Sequence, residues 1–283
     1  MTVKILRGDC RKLIKKLEDR SIDCVITSPP YWGLRNYENA NQLGMESSPE
    51  EYVENLRGIF SEIRRALKDH GTVWLNLGDC YAGGSYTGRN DVNVKTPGRS
   101  TLSASVPKGK WRGLPPKNLI GIPWRVAFAL QQDGWVLRSD IIWSKPNPTP
   151  ESVPDRPTRA HEYIFLFSKS PRYFYDADAI REPYQSKSYK FANPKGKNRR
   201  TVWTITPKPC KEAHFATYPP ELIEPCIKAG CPEGGTILDP FFGAGTTGLV
   251  AKRLNRHCIG MELNPDYAVI AAQRLKADQP KLK

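Results

Sequence analysis

The 283-residue chain lacks the cysteine patterns of a disulfide-stapled or zinc-binding protein. Its seven cysteines are an odd number, and no two of them form a C-x-x-C pair. Long apolar runs are also missing: stretches such as residues 126–130 are far shorter than the roughly 20 residues that a membrane span needs. The N-terminus carries no apolar segment of the kind found in signal peptides. We therefore expect a protein of the reducing cytoplasm, with no metal site and no membrane partner.

Acidic residues are scarce relative to basic ones, since 43 lysines and arginines face 29 aspartates and glutamates. The excess lies in two segments. Residues 81–120 carry seven basic side chains and one acidic one, and residues 186–211 carry eight basic side chains and no acidic one. Both are rich in Gly, Ser, Asn and Pro and contain interleaved aromatic residues. A solvated or disordered loop would explain either segment alone, but the mixture of charge and aromatics favours a polyanionic partner.

The tetrapeptide Ser28-Pro29-Pro30-Tyr31 follows the apolar run of residues 22–27. Proline has no N–H, so both prolines offer carbonyls, and their fixed φ holds those oxygens in place. The Ser28 hydroxyl can accept or donate a hydrogen bond, and Tyr31 can stack on a flat ring. The motif thus predicts a rigid cup of acceptors for an amino group on a ring. A simple turn after a strand is the alternative.

A second motif, residues 239–247, has the sequence Asp-Pro-Phe-Phe-Gly-Ala-Gly-Thr-Thr and follows a short apolar strand. Gly243 and Gly245 let the backbone approach a ligand closely, and Glu262 closes a second strand 19 residues after Gly243. This pattern is half of a doubly wound nucleotide site. With Gly248 it also satisfies the loose G-x-G-x-x-G pattern, so a nicotinamide-dependent dehydrogenase is a competing interpretation.

Together the two motifs resemble those of the amino-directed DNA methyltransferases that use S-adenosylmethionine, in the subgroup whose catalytic motif precedes the cofactor motif. The resemblance covers nearly the whole chain, with further matches at residues 8–10, 214–219 and 264–267. It implies an α/β fold with a doubly wound, mostly parallel Rossmann-like methyltransferase sheet, helices on both faces and basic loop insertions. It also implies S-adenosylmethionine as cofactor and DNA as partner. A homodimer and a cognate restriction nuclease are left open.

The resemblance also assigns site residues. The catalytic ones are Ser28, Pro29, Pro30 and Tyr31, which hold the target base. The cofactor-binding ones are Asp9, Phe215, Asp239, Phe241, Gly243, Gly245, Thr246, Thr247 and Glu262, the last on the ribose hydroxyls. The residues alone leave open whether Asp9 lies near the cofactor or only caps a helix, and whether Asp239 braces its loop or reaches the methionine ammonium. Within the basic segments, the candidate DNA contacts are Arg112, Lys117, Lys195, Lys197, Arg199 and Arg200.

The implied chemistry is a direct methyl transfer to an exocyclic amino nitrogen, whose lone pair is delocalised into the ring. If the Ser28 hydroxyl and the Pro29 carbonyl accept the two amino hydrogens, the lone pair becomes localised and can attack. The base must be flipped out of the duplex, with Tyr31 stacking on it. No covalent intermediate is required, so Cys24 and Cys80 are interpreted as packing residues.

Two acceptor bases are compatible with the motif, and the sequence favours one of them. Ser at position 28 favours cytosine N4, because adenine-N6 enzymes usually have Asp or Asn there. Adenine N6 remains the alternative, since both bases present an amino group beside a ring nitrogen. A catalytically inactive DNA-binding protein with the same fold is the alternative from another class, and RNA or protein substrates stay open.

The predicted organisation places catalytic elements first. We expect a catalytic half in residues 1–80, a basic insertion in 81–118, the remainder of the catalytic half in 119–182, a second basic insertion and candidate target-recognition region in 183–207, and a cofactor-binding half in 208–283. Strands are predicted at 3–6, 22–27, 72–77, 135–143 and 161–168, and helices at 11–18, from a Ser48 cap to near Gly71, at 123–132 and at 219–229. Strand, helix, strand and helix follow between 236 and 276. Pro225 is expected to kink or limit its helix.

Overall fold

The structure is a computed structural model that describes residues 1–34, 41–82, 113–184, 193–207 and 218–278. Its strands are β1 (Val3–Arg7), β2 (Ile22–Thr27), β3 (Leu67–Leu77), β4 (Val136–Ser144), β5 (His161–Ser168), β6 (Val202–Thr204), β7 (Thr236–Asp239) and β8 (His257–Glu262). Its α-helices are α1 (Cys10–Leu13), α2 (Pro49–Ala66), α3 (Ile122–Gln132), α4 (Pro220–Gly230), α5 (Thr246–Arg253) and α6 (Pro265–Ala277). Short 3₁₀ turns lie at Ile14–Lys16 and Asp178–Ile180.

The strands form one sheet in the order β1-β8-β7-β2-β3-β5-β4-β6. Strand β5 runs antiparallel to both of its neighbours, and every other pairing is parallel. Strand β8 follows β7 outward on one side and β3 follows β2 outward on the other, and β7 and β2 are adjacent. The carboxyl ends of β2 and β7 therefore flank the switch point, where open α/β sheets bind ligands.

Two buried clusters cover the two faces of the sheet, as the expected layering requires. Alternating residues of β2 divide between them: Val25 joins the cluster that includes Leu56 and Phe60 of α2, while Ile26 joins the cluster that includes Leu222 of α4 and Val250 of α5. The prediction of a doubly wound, mostly parallel sheet with helices on both faces is confirmed.

Helix α2 begins as predicted, with the Ser48 hydroxyl accepting from Glu51 N and Pro49 at the first helical position. It ends at Ala66, earlier than expected, because Leu67 already belongs to β3. Leu67 has no exposed surface and packs in the same cluster as α2. Because Leu67 is apolar and buried, it fits the pattern of a core-facing helix, although it lies in a strand.

Two further features differ from the expectations. Helix α4 continues through Pro225 to Gly230, so this proline does not end the helix. Strand β6 lies inside the segment 183–207 and pairs with β4, so that segment ends as an edge strand of the sheet. Residues 83–112, which make up most of the first basic insertion, lie outside the described ranges.

Candidate active site

The two sequence motifs meet at the switch point. Thr27, the last residue of β2, donates from Oγ1 to Oδ1 of Asp239, the last residue of β7, over 2.6 Å. The two residues are 212 positions apart in the chain, and each is 1% exposed. This buried contact joins the residue before Ser28 to the first residue of the glycine motif. The catalytic and cofactor motifs therefore share one edge of the sheet.

Asp239 accepts hydrogen bonds from four protein groups. Besides Thr27, its carboxylate accepts from Thr247 Oγ1, from the Tyr218 hydroxyl at 3.1 Å and from the Phe241 amide at 3.1 Å. Burial raises the pKa of Asp239, while the hydrogen bonds from Thr247 and Thr27 act in the opposite direction. Of the two roles left open by the sequence, the geometry matches a brace of the loop.

The glycines of the second motif have different environments. Gly243 and Gly245 both have positive φ, 53° and 78°. A Cβ on Gly243 would meet open space, so this backbone is accessible to a ligand. A Cβ on Gly245 would lie 2.9 Å from Ala271 Cβ and 3.2 Å from the Phe242 ring. Gly245, which precedes α5, is therefore required by the packing of neighbouring protein atoms. Gly243 is the glycine of the pair whose Cα faces open space.

Glu262 ends β8 beside this loop. Its carboxylate accepts from the Gly243 amide at 2.6 Å and from the Asn264 amide at 2.8 Å. Burial raises the pKa of Glu262, and the two amide donors partly offset this effect. A carboxylate held by backbone amides next to the open face of Gly243 has free lone pairs for hydroxyl donors, as a ribose-binding acid requires.

The remaining predicted cofactor residues have the following positions. Asp9 caps α1 by accepting from Arg11 N at 2.9 Å, and it also pairs with the Arg11 guanidinium. Although burial opposes the change, these contacts with Arg11 lower the pKa of Asp9. Phe241 is partly buried, and the Thr246 hydroxyl accepts from Arg274 at 3.3 Å at the start of α5. Phe215 lies outside the described residues.

The cup formed by residues 28–31 is held from two sides. Tyr52 of α2 donates its hydroxyl to the Pro30 carbonyl at 2.9 Å. The Pro30 carbonyl thus anchors the loop to α2, and its second lone pair stays available as an acceptor. The Tyr31 hydroxyl lies 3.3 Å from Ser28 Oγ, and the Tyr31 ring packs so closely on Gly78 that a Cβ there would lie 2.6 Å from Tyr31 Cε2.

Sequence reasoning missed the side chains that surround the Tyr31 hydroxyl. This hydroxyl lies 2.7 Å from Glu162 Oε2 and 3.0 Å from Asn76 Oδ1. Glu162 also contacts the Lys145 ammonium. Burial, followed by the nearby charge of Glu162, holds the pKa of Tyr31 well above its usual value. Only the pairing of β5 with β3 and β4 brings these residues together, so no local pattern signals them.

The described basic candidates are paired within the chain. Lys117 contacts Asp155 at 2.6 Å, Lys195 contacts Asp178 at 2.7 Å, and Glu182 lies 3.2 Å from Arg200 and 3.9 Å from Lys197. Exposed or partly exposed pairs of this kind add little to stability, so a phosphate can compete for the same cations. Arg199 instead stacks over the Trp203 ring at 4.5 Å. Arg112 lies outside the described residues.

Cys24 and Cys80 are buried, in agreement with a packing role. Burial raises the pKa of the Cys80 thiol to about 12 and that of the Cys24 thiol well above its usual value. Neither thiol is therefore an available nucleophile. Within the described ranges, no helix combines the length and the apolar character needed to cross a bilayer.

Comparison with known proteins identifies the family. A family model described as DNA methylase matches residues 22–273. The Type II methyltransferase M.SmaI of Serratia marcescens is 51% identical over 274 residues, which cover 96% of this chain and 90% of that protein. M.Cfr9I of Citrobacter freundii is 48% identical and covers 97% and 88%.

Two solved structures share the fold. The PvuII DNA methyltransferase, described as cytosine-N4-specific, superposes with a TM-score of 0.71 at 21% identity, over 99% of this chain and 89% of that one. A DNA modification methylase from Thermus thermophilus, described as putative and complexed with S-adenosyl-L-methionine, gives 0.66 at 24% identity, over 99% and 96%.

The fold and the site define an amino-directed methyltransferase, and the chain belongs to the DNA methylase family. It is a Type II DNA methyltransferase of the N4/N6 group, and its cofactor is S-adenosylmethionine.

Proposed function

We propose that this enzyme methylates the exocyclic N4 amino group of cytosine at a specific DNA site. The observation that carries the proposal is the Thr27–Asp239 contact, because it holds Ser28 beside the cofactor loop. In the family that the chain resembles, adenine-N6 enzymes usually have Asp or Asn at the position that Ser28 occupies here. The shared fold with a protein described as cytosine-N4-specific adds support. Adenine N6 is the alternative, because the same cup of acceptors fits either amino group.

The chain's own residues act on the amino group by orientation. Ser28 Oγ accepts one amino hydrogen and the Pro29 carbonyl accepts the other, which localises the nitrogen lone pair. The Pro30 carbonyl keeps the cup in place through Tyr52. Tyr31, a residue of intermediate exposure, stacks its ring on the flipped base. Positioning and hydrogen bonding, with no covalent enzyme intermediate, supply the acceleration.

The cofactor residues fit S-adenosylmethionine by their chemistry. The cofactor supplies an electrophilic methyl group on a sulfonium. Glu262 offers carboxylate lone pairs for ribose hydroxyls, and the open face of Gly243 admits the ligand close to the backbone. Asp239 keeps the loop in shape through its four donors, with Thr247 and Phe241 among them.

The basic segments supply the DNA contacts in this proposal. Residues 183–207 are the candidate target-recognition region, since Lys195, Lys197 and Arg200 hold exposed or partly exposed ion pairs that phosphates can replace. Arg199 is a weaker candidate, because it stacks on Trp203. A cytoplasmic location is proposed as well, because the six described cysteines are free buried thiols. A second subunit and a cognate nuclease remain unassigned.

Product analysis tests the acceptor base. The protein is incubated with unmodified DNA and S-adenosylmethionine, and the DNA is digested to nucleosides that are identified by mass. We expect N4-methylcytosine, and N6-methyladenine as the sole product would overturn the assignment. Ser28→Ala should lose activity, whereas Ser21→Ala, before the opposite end of β2, should retain it. A Ser28→Ala enzyme as active as the parent would show that Ser28 is not the acceptor.

A further inference from the structure

A carboxylate with 16% side-chain exposure, Glu162, lies behind the catalytic cup at the start of β5. Strand β5 is antiparallel to the rest of the sheet, so its first residues reach the edge where the parallel strands end. There Oε2 of Glu162 lies 2.7 Å from the Tyr31 hydroxyl and 3.1 Å from Asn76 Nδ2, and Oε1 contacts the Lys145 ammonium. Both carboxylate oxygens therefore have donors, and a cation is adjacent.

The Tyr31 hydroxyl has a single proton to donate. A carboxylate at 2.7 Å is a stronger acceptor than the Asn76 amide oxygen at 3.0 Å, so the proton is directed to Glu162. The Asn76 side chain is itself fixed, because Nδ2 also donates to the Tyr163 carbonyl at 3.0 Å. The Tyr31 oxygen is then left as an acceptor for its other neighbour.

That neighbour is Ser28 Oγ, at 3.3 Å. This separation is long for two hydroxyls. If the Ser28 proton is given to Tyr31, the lone pairs of Ser28 Oγ are free for another donor. An exocyclic amino group donates hydrogen bonds, so its recognition requires Ser28 Oγ to act as the acceptor. A Ser28 proton turned toward the amino group would oppose it.

We propose that Glu162 is a positioning residue for methyl transfer, which sets the direction of the Glu162–Tyr31–Ser28 hydrogen-bond chain so that Ser28 accepts from the target amino group. The Lys145 ammonium contacts Glu162 and balances its charge. The inference rests on the acceptor role proposed for Ser28. It assigns a function to a residue far from both motifs in sequence.

Glu162→Gln tests the direction of the chain. The amide can donate to the Tyr31 oxygen, which turns the Tyr31 proton toward Ser28 and removes the free acceptor. We expect kcat to fall about 10- to 100-fold, with KM for DNA and Kd for S-adenosylmethionine unchanged, because no binding contact is lost. Glu151→Gln is the matched control: Glu151 is 20% exposed and pairs with Arg156 at 2.6 Å, but it has no contact with the cup, so kcat should stay at the parental value.

A double-mutant cycle separates positioning from a structural role. Tyr31→Phe removes the middle of the chain, so Glu162→Gln should cost little more when Tyr31 is already Phe. Full kcat in Glu162→Gln, or effects that multiply in the double variant, would overturn the proposal. If Glu162→Gln does not fold, Tyr31→Phe alone tests the proposal. An unchanged kcat in Tyr31→Phe would show that the Glu162–Tyr31–Ser28 hydrogen bonds do not act in methyl transfer. Ser28→Ala is assayed in parallel, and its full activity would refute the acceptor assignment itself rather than the role of Glu162.

Discussion

Thr27→Val should destabilise the protein more than removal of a comparable buried threonine hydroxyl. Valine keeps the shape of the side chain but replaces the donor to Asp239 with a methyl group. Asp239 would retain three of its four donors, so the carboxylate would stay in place but lose its 2.6 Å contact. Hydrogen bonds to charged groups contribute about 1.5–3 kcal/mol, so we expect a loss of about 2 kcal/mol.

This loss converts to a measurable change in Tm. An unfolding entropy of about 2.1 cal/mol/K per residue gives about 0.6 kcal/mol/K for a chain of 283 residues, so 2 kcal/mol lowers Tm by about 3 °C. Thermal unfolding followed by circular dichroism at neutral pH measures it. Because the lost donor favoured the ionised carboxylate, its removal raises the pKa of Asp239 further, and the difference from the parent should shrink in acid as the carboxyl becomes protonated.

Thr72→Val is the matched control. Thr72 lies on the neighbouring strand β3, has no exposed surface, and donates to the neutral Gly230 carbonyl at 3.0 Å. A neutral hydrogen bond contributes about 1 kcal/mol, so its Tm should fall by about half as much and independently of pH. Equal shifts for the two variants, or a Thr27→Val protein as stable as the parent, would refute the idea that this contact fastens the two motifs together.

Two further predictions concern the cofactor and the target. Glu262→Gln should weaken S-adenosylmethionine binding about tenfold by calorimetry, equivalent to about 1.4 kcal/mol, because an amide accepts poorly from two hydroxyls. Burial raises the pKa of Glu262 in the folded protein. The stability that the protonated Glu262 side chain contributes is therefore present in acid and is lost as the pH rises through this pKa. In urea unfolding, Glu262→Gln should lose less stability than the parent between pH 5 and pH 8. Exchange of residues 183–207 for the segment of a related enzyme should change the DNA sequence that is methylated, and unchanged specificity would count against this segment as the reader of the target.

Much of the fold was predictable because local patterns and tertiary packing agree. The strands at 22–27 and 161–168 were predicted to the residue, since each is an apolar run with a clear boundary. The end of α2 was wrong because Leu67 suits a helical face and a buried strand equally well. The three-residue strand β6 was missed, since a segment this short gives no periodic signal within a basic stretch.

The site was predictable where its residues are contiguous in sequence. Both motifs were found from their composition, and the sheet brings them together as expected. The residues that hold Tyr31 were missed because they come from the antiparallel strand β5 and its neighbours. Glu162 is 131 residues from Tyr31, and its role depends on the register of two strand pairings that the sequence does not reveal.

The glycine pattern explains why a dehydrogenase was a reasonable competitor and why it is the wrong interpretation. A Cβ on Gly248 would lie 2.7 Å from the Phe242 ring, and one on Gly245 would lie 3.2 Å from the same ring. Two of the three glycines in the G-x-G-x-x-G spacing therefore accommodate a phenylalanine of the motif itself. Gly243 alone among the three faces open space, beside the carboxylate of Glu262. The spacing thus reflects packing around Phe242 and does not by itself indicate a dinucleotide site.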